Sequence, residues 1–211
     1  MICNTEELKD VYGRIKTDVR NRVNEFHEIR RRGDKKELFR ELCFCILTPQ
    51  SNAHVCWDTV QTLLQKDMLQ NGTARSIARE LRGGPRFHNN KAKSIVKARK
   101  FFPQFLQLLN AKTDPKELRA WLAKNMPGLG LKEAGHFLRN IGLGRDIAIL
   151  DRHVLRTLVN CGVIPEIPKT FSNRKYLEIE RKMEQWSEQI AIPLDDLDFV
   201  IWYNAKQEIF K

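Results

Sequence analysis

The sequence predicts an all-α fold, and three observations carry that expectation. Apolar residues recur at steps of three and four along most of the chain, the signature of one helical face. Alternating apolar and polar runs of the kind that make half-buried strands are scarce. Gly, Pro, Asn and Ser interrupt the periodic stretches at intervals suited to helix ends.

Taken in order, Leu8, Val11, Tyr12, Ile15, Val19, Val23, Phe26 and Ile29 describe one face of a helix from Thr5 to about Arg32. Thr5 is the expected N-cap, with Glu6 and Glu7 favouring the positive helix end. Gly33-Asp34 closes this helix and opens a second, from about Lys35 to Leu47, which Pro49 ends. The second half of that helix is apolar nearly all round, so burial is expected. Further helices are expected at about 53–66, 73–81, 90–101, 103–109, 115–124, 132–141, 152–161, 174–187 and 194–210. The breaks between them hold Gly72, Gly83-Gly84-Pro85, Pro127-Gly128, Gly142-Leu143-Gly144, Pro165 and Pro168. There is no fixed-period repeat and no low-complexity linker.

The length of 211 residues suits one large domain or two small ones sharing an interface. Hydrophobic residues make up 42%, enough for a core, and 37 Lys+Arg against 26 Asp+Glu give a net charge of +11. Such an excess points to a polyanionic partner, because neutralising phosphates releases condensed counterions. A basic surface with no partner is the alternative at this stage. No stretch has the roughly 20 apolar residues of a membrane helix. The start of the chain lacks the basic flank and apolar core of a signal peptide. A soluble, intracellular protein without membrane contact is therefore expected. The cysteines, Cys3, Cys43, Cys45, Cys56 and Cys161, are odd in number and suit a reducing compartment. Without a Cys-x-x-Cys pair or a Cys/His cluster, no metal site and no cofactor are expected.

The chemistry concentrates in Asn125-Met-Pro-Gly-Leu-Gly-Leu-Lys-Glu-Ala-Gly-His-Phe-Leu-Arg-Asn140. Pro127 to Gly130 make a tight turn, in which Gly128 and Gly130 are expected to take positive φ and admit a close backbone. The helix that follows presents free N–H groups suited to a phosphate oxygen. By itself such a turn serves a connector as well as it serves DNA. Lys132 sits in the first turn of that helix, where the macrodipole disfavours a cation. This environment, with some burial, lowers an amine's pKa and makes it nucleophilic; an isolated surface lysine is the competing reading.

Asp151 follows the apolar run Ile147–Leu150 and precedes a helix starting at Arg152, so it reads as an N-cap. Its apolar flanks also suggest a half-buried carboxylate in need of a partner. An amine beside a carboxylate is the pair needed to break an N-glycosidic bond. The amine attacks the anomeric carbon while the carboxylate supports the developing cationic sugar.

Pro127-Gly-Leu-Gly-Leu-Lys-Glu-Ala134 resembles the hairpin signature of the helix–hairpin–helix DNA glycosylases, the superfamily that includes endonuclease III. The resemblance puts Lys132 in the position of the lyase lysine and Asp151 in that of the catalytic aspartate. Leu47-Thr-Pro-Gln-Ser-Asn52 resembles the segment whose glutamine fills the gap left by an extruded base, which makes Gln50 the candidate. Phe87-His-Asn-Asn-Lys-Ala-Lys93 resembles a segment near the damaged-base pocket. The cysteine-ligated iron–sulfur loop of endonuclease III relatives is missing, since no cysteine lies beyond Cys161. The residues from Leu131 to Gly142 and from Ala148 to Arg156, with the ending at Lys211, are similar to the short type of 8-oxoguanine DNA glycosylase/lyase of archaea and some bacteria.

That resemblance implies a monomer acting on double-stranded DNA that contains 8-oxoguanine. It implies two helical domains, 1–50 plus 152–211 and 51–151, with the DNA cleft between them. The lesion carries a hydrogen on N7 that guanine lacks, and the implied acceptor is the terminal carboxylate of Lys211. Apolar residues continue almost to the end of the last helix, which suggests a docked tail. Trp202 and Phe87 are the candidates to sandwich the flipped base, and Gly128 and Gly130 to meet DNA phosphates. Arg139, Arg152, Arg156, Lys91 and Lys93 are further candidates for phosphate contact. His136 and His153 have no motif assigning them chemistry, and His136 is expected to pack or hydrogen-bond within its helix. Oxidised-pyrimidine excision and a non-catalytic helix–hairpin–helix module are the rival readings.

Overall fold

The computed structural model describes residues 5–211, and Cys3 lies outside them. The described residues form eleven helices: α1 Thr5–Arg32, α2 Lys35–Leu47, α3 Ala53–Gln65, α4 Met68–Asn71, α5 Ala74–Glu80, α6 His88–Asn110, α7 Pro115–Asn125, α8 Leu131–Asn140, α9 Arg152–Asn160, α10 Asn173–Gln189 and α11 Leu194–Lys206. Side-chain oxygens of Asp34, Asn52, Thr73, Asp114, Asp151 and Ser172 cap six of them. Each cap satisfies an N–H that the helix leaves without a partner.

α1, α9 and α10 pack around α11, while α3 to α8 pack largely among themselves. α2 touches α1, α3, α4, α6 and α8. Its residues Leu42 to Leu47 are all buried, in line with the pattern of its second half. Aromatic pairs tie the layers together: Phe26 to Phe199 across α1 and α11, Phe39 to Phe102 across α2 and α6, and Phe105 to Phe137 across α6 and α8. Truncating one such buried phenylalanine to alanine typically costs about 3–5 kcal/mol.

Three local expectations are corrected. Thr5 is already helical, so any cap of α1 lies outside the described residues. Pro103 does not divide two helices but sits inside α6. It removes one N–H from the ladder, yet continuation lets the flanking Phe102 and Phe105 both reach the core. The last helix ends at Lys206 rather than near residue 210, with Gln207 at φ 57 as its left-handed C-cap. Cys43, Cys45 and Cys56 are buried free thiols, whereas Cys161 is disulfide-bonded. Among the described residues no helix is long and apolar enough to cross a membrane.

Candidate functional site

The hairpin consists of α7, a turn from Met126 to Gly130, and α8. Gly128 has φ 87, the left-handed region that favours glycine, and a Cβ there would press on the Ser94 side chain, with Oγ 3.0 Å away. Gly130 departs from expectation: its φ is −96, an extended conformation open to other residues. It is the N-cap of α8, and its N–H donates to Glu133 Oε2 at 3.3 Å. This is only the return arm of a capping box, because glycine has no side chain to complete it. In the free protein Glu133 thus supplies the anion that the α8 N-terminus attracts.

Lys132 is half-buried in the first turn of α8, with Nζ 3.6 Å from Glu133 Oε1. One turn further lies His136, and then Arg139, at the steps of four and three that keep side chains on one face. His136 is buried, and neither ring nitrogen has a partner of hydrogen-bonding geometry. Burial, helped by the charges of Arg139 and Lys132, holds its pKa well below the usual histidine range, while the adjacent Lys211 main chain pulls the other way. The imidazole is therefore neutral at pH 7 and keeps hydrogen-bonding capacity facing the last residue. The sequence-based expectation gave His136 a packing or hydrogen-bonding role within its own helix and no link to the last residue.

Asp151 is the N-cap of α9; its Oδ1 accepts from His153 N at 2.7 Å and Val154 N at 2.8 Å. The strand-like segment leading to it is braced from α10. Ala148 N donates to Glu180 Oε1 at 2.9 Å, Tyr176 Oη donates to Ala148 O at 2.7 Å, and Leu150 N donates to Tyr176 Oη at 3.3 Å. Glu180 is itself held by the Arg119 guanidinium of α7 in a buried two-pronged pair.

Asp198 of α11 joins the two halves of this site, and the sequence-based reasoning missed it. Burial pushes its carboxyl up to about 6; Arg139 opposes the rise, Asp151 adds to it, and Lys132 opposes it. Arg139 Nη1 stands 3.5 Å from Asp198 Oδ2. This one carboxyl therefore lies within electrostatic reach of both Lys132 and Asp151. The available signal was an acid set between the apolar residues Leu197 and Phe199.

The segment after α11 is docked, as the apolar pattern predicted. Glu208 pairs with His54 Nε2 at 2.8 Å, Phe210 lies 4.1 Å from the His54 ring, and the Lys211 ammonium reaches Glu41. Trp202 is half-buried with its ring edge-on to His153 at 5.5 Å and its Nε1 unpartnered.

A family model described as 8-oxoguanine DNA glycosylase matches residues 19–192. The 8-oxoguanine DNA glycosylase/AP lyase of Fusobacterium nucleatum is 40% identical over 97% of this chain and 96% of its own. That of Methanocaldococcus jannaschii is 38% identical over 100% and 99%. The chain belongs to the 8-oxoguanine DNA glycosylase family. The crystal structure of the Thermotoga maritima enzyme superposes with TM-score 0.90 at 34% identity, covering 98% of each chain. The M. jannaschii enzyme bound to a 15mer DNA containing 8-oxoguanine gives TM-score 0.90 at 34% identity, covering 98% of this chain and 99% of that one.

In this member of the 8-oxoguanine DNA glycosylase family, the remaining candidates divide by exposure. Gln50 and Phe87 are exposed, and each is a non-glycine residue at positive φ, 54 and 59 respectively. Their loops are laced together: Arg86 N donates to Ser51 Oγ at 2.9 Å, and Lys91 Nζ donates to Leu47 O, Pro49 O and Ser51 Oγ. Lys91 is therefore buried scaffolding, not the phosphate contact expected of it. Arg139 is corrected likewise: it is buried against Asp198 and the Phe199 ring. Lys93, Arg152 and Arg156 are exposed. Phe87 is stacked under Arg86 and makes no ring contact with Trp202 among the described residues.

Proposed function

We propose that the chain excises 8-oxoguanine from double-stranded DNA and then cleaves the strand, with Lys132 as the nucleophile and Asp151 as its electrostatic partner. The reading is supported most by the near-full-length likeness to the M. jannaschii enzyme solved with 8-oxoguanine DNA, and the Asp198 carboxyl, which feels the charges of both Lys132 and Asp151, is in keeping with it. The duplex lies in a groove between the two groups of helices, 1–50 plus 152–211 and 51–151, and acts as the partner of a prokaryotic cytoplasmic enzyme. Gly128 and Gly130 approach its backbone, Gln50 occupies the gap left by the flipped nucleotide, and Phe87 lies beside it. Trp202 stacks on the extruded base.

The chemistry follows from these positions. The Lys132 amine attacks C1′ and the base departs, while the Asp151 carboxylate steadies positive charge on the sugar. Ring opening leaves a Schiff base between Lys132 and C1′. Loss of a proton from C2′ then expels the 3′ phosphate by β-elimination. Selectivity comes from the N7 hydrogen of 8-oxoguanine, which a main-chain carboxyl oxygen of Lys211 accepts. Guanine offers a lone pair there and leaves the acceptor facing an acceptor.

Borohydride trapping on duplexes bearing 8-oxoguanine, thymine glycol or an abasic site tests the substrate. A covalent adduct with 8-oxoguanine and not with thymine glycol is expected. Trapping on thymine glycol alone overturns the substrate, and no adduct on any duplex leaves only a DNA-binding module. Appending residues after Lys211 tests the acceptor: 8-oxoguanine excision should fall while abasic-site cleavage persists.

A further inference from the structure

The side chain of Lys211 is held in a cage that the chemistry above does not use. Its Nζ donates to both oxygens of Glu41, each at 2.8 Å. The same ammonium lies 4.0 Å from the centre of the Trp57 ring and 5.6 Å from that of Phe26, so a carboxylate and aromatic faces together replace its water. Side-chain exposures are 0% for Glu41 and 9% for Lys211, making this a desolvated pair rather than a surface one. Glu41 is tied in further by Asn140 Nδ2 at 3.3 Å and Arg40 Nη2 at 3.2 Å. Asn140 belongs to α8, the helix that carries Lys132 and His136.

A buried lysine–glutamate pair adds little net stability, because desolvating both charges offsets their attraction. What it does provide is a fixed position. With the ammonium pinned at one end and the His54 and Phe210 contact preceding it, the main-chain end of Lys211 has little freedom and stays beside His136. We propose that Glu41, with Trp57, is the positioning residue for lesion recognition: it grips the side chain of Lys211 so that the main-chain carboxyl of the same residue is aimed at the base pocket. The specificity device then has two ends, an ammonium that anchors and a carboxyl that reads. This explains why a lysine serves at a position whose reading group belongs to the backbone.

The inference rests on the reading of the Lys211 carboxyl as acceptor, and the variants are chosen to separate the two. Glu41→Gln keeps the shape and removes the charge; Lys211→Met removes the ammonium and keeps the carboxyl. A displacement of about 1 Å costs up to about 100-fold in rate. Each variant is therefore expected to lose about 10- to 100-fold in kcat/KM on 8-oxoguanine, and far less in cleavage of preformed abasic sites. The double variant should lose no more than the worse single one, since both remove one interaction. Unchanged excision in Glu41→Gln, equal loss in both reactions, or additive losses in the double variant overturns the anchor. Normal excision by a protein extended after Lys211 overturns the carboxyl reading itself.

Discussion

The Arg119 guanidinium of α7 and the Glu180 carboxylate of α10 meet as a two-pronged ion pair, with side-chain exposures of 2% and 4%. Glu180 also accepts from the main-chain N–H of Ala148, three residues before Asp151. The pair therefore braces both the hairpin's first helix and the segment that leads to Asp151.

Breaking that pair from one side strands a buried charge. Glu180→Gln is expected to destabilise the fold by about 3–5 kcal/mol, read as a lower denaturation midpoint in urea. An Arg119→Met/Glu180→Leu double variant should recover much of this loss. A Glu180→Gln protein as stable as the original contradicts the bracing role.

Asp151 caps α9, the proposed function gives it a catalytic task as well, and asparagine separates the two. Its amide oxygen still caps α9, so Asp151→Asn should keep the fold within about 1 kcal/mol. Without the carboxylate charge, single-turnover base release is expected to fall by about 100-fold or more. Full activity in a well-folded Asp151→Asn protein removes the aspartate from the chemistry.

The hairpin and the site scaffold depend on glycine at two places. Gly142 has φ 73 and comes so near His27 that a Cβ would lie 2.9 Å from its Cα. Gly142→Ala should cost about 1–3 kcal/mol by thermal or chemical unfolding. Gly128→Ala should instead show mainly as weaker DNA binding, since its strain falls on the exposed turn. Gly130→Ala has no positive φ to lose and should fold normally.

Asp198 gives a pH signature of definite sign. Its pKa is raised by burial from the ordinary 3.8 to about 6, so the folded state holds a proton that the unfolded chain releases. The stability from this group is complete below pH 3.8 and is lost as pH rises through about 6. Unfolding free energy of the native protein, minus that of Asp198→Asn, should thus fall by about 2 kcal/mol between pH 4 and pH 7. Subtraction cancels the pH-independent cost of depriving Arg139 of its partner. A flat difference across that range contradicts the assignment.

Much of the fold was legible because helix periodicity and cap residues are local. The spans of α1, α2 and α8 follow directly from such patterns, and Lys132 and Asp151 stood out by their places at helix starts. What stayed hidden depends on contacts between distant segments. Lys91 and Arg139 look like phosphate-binding cations until their burial is seen. His136 looks like packing until the last residue is found beside it. Glu41 reads as an ordinary helix acid, and only the returning tail reveals its partner, 170 positions away. Pro103 misled for a related reason, since packing on both sides of it outweighs one lost hydrogen bond.

The central claim is that Lys132 forms the covalent bond to the sugar. Borohydride reduction of the protein with an 8-oxoguanine duplex, run beside Lys132→Gln, tests it most directly. The account predicts a protein–DNA adduct that carries Lys132 in the linked peptide and is lost in the variant together with base release. An adduct that persists in a folded Lys132→Gln protein, or one linked through another residue, contradicts it.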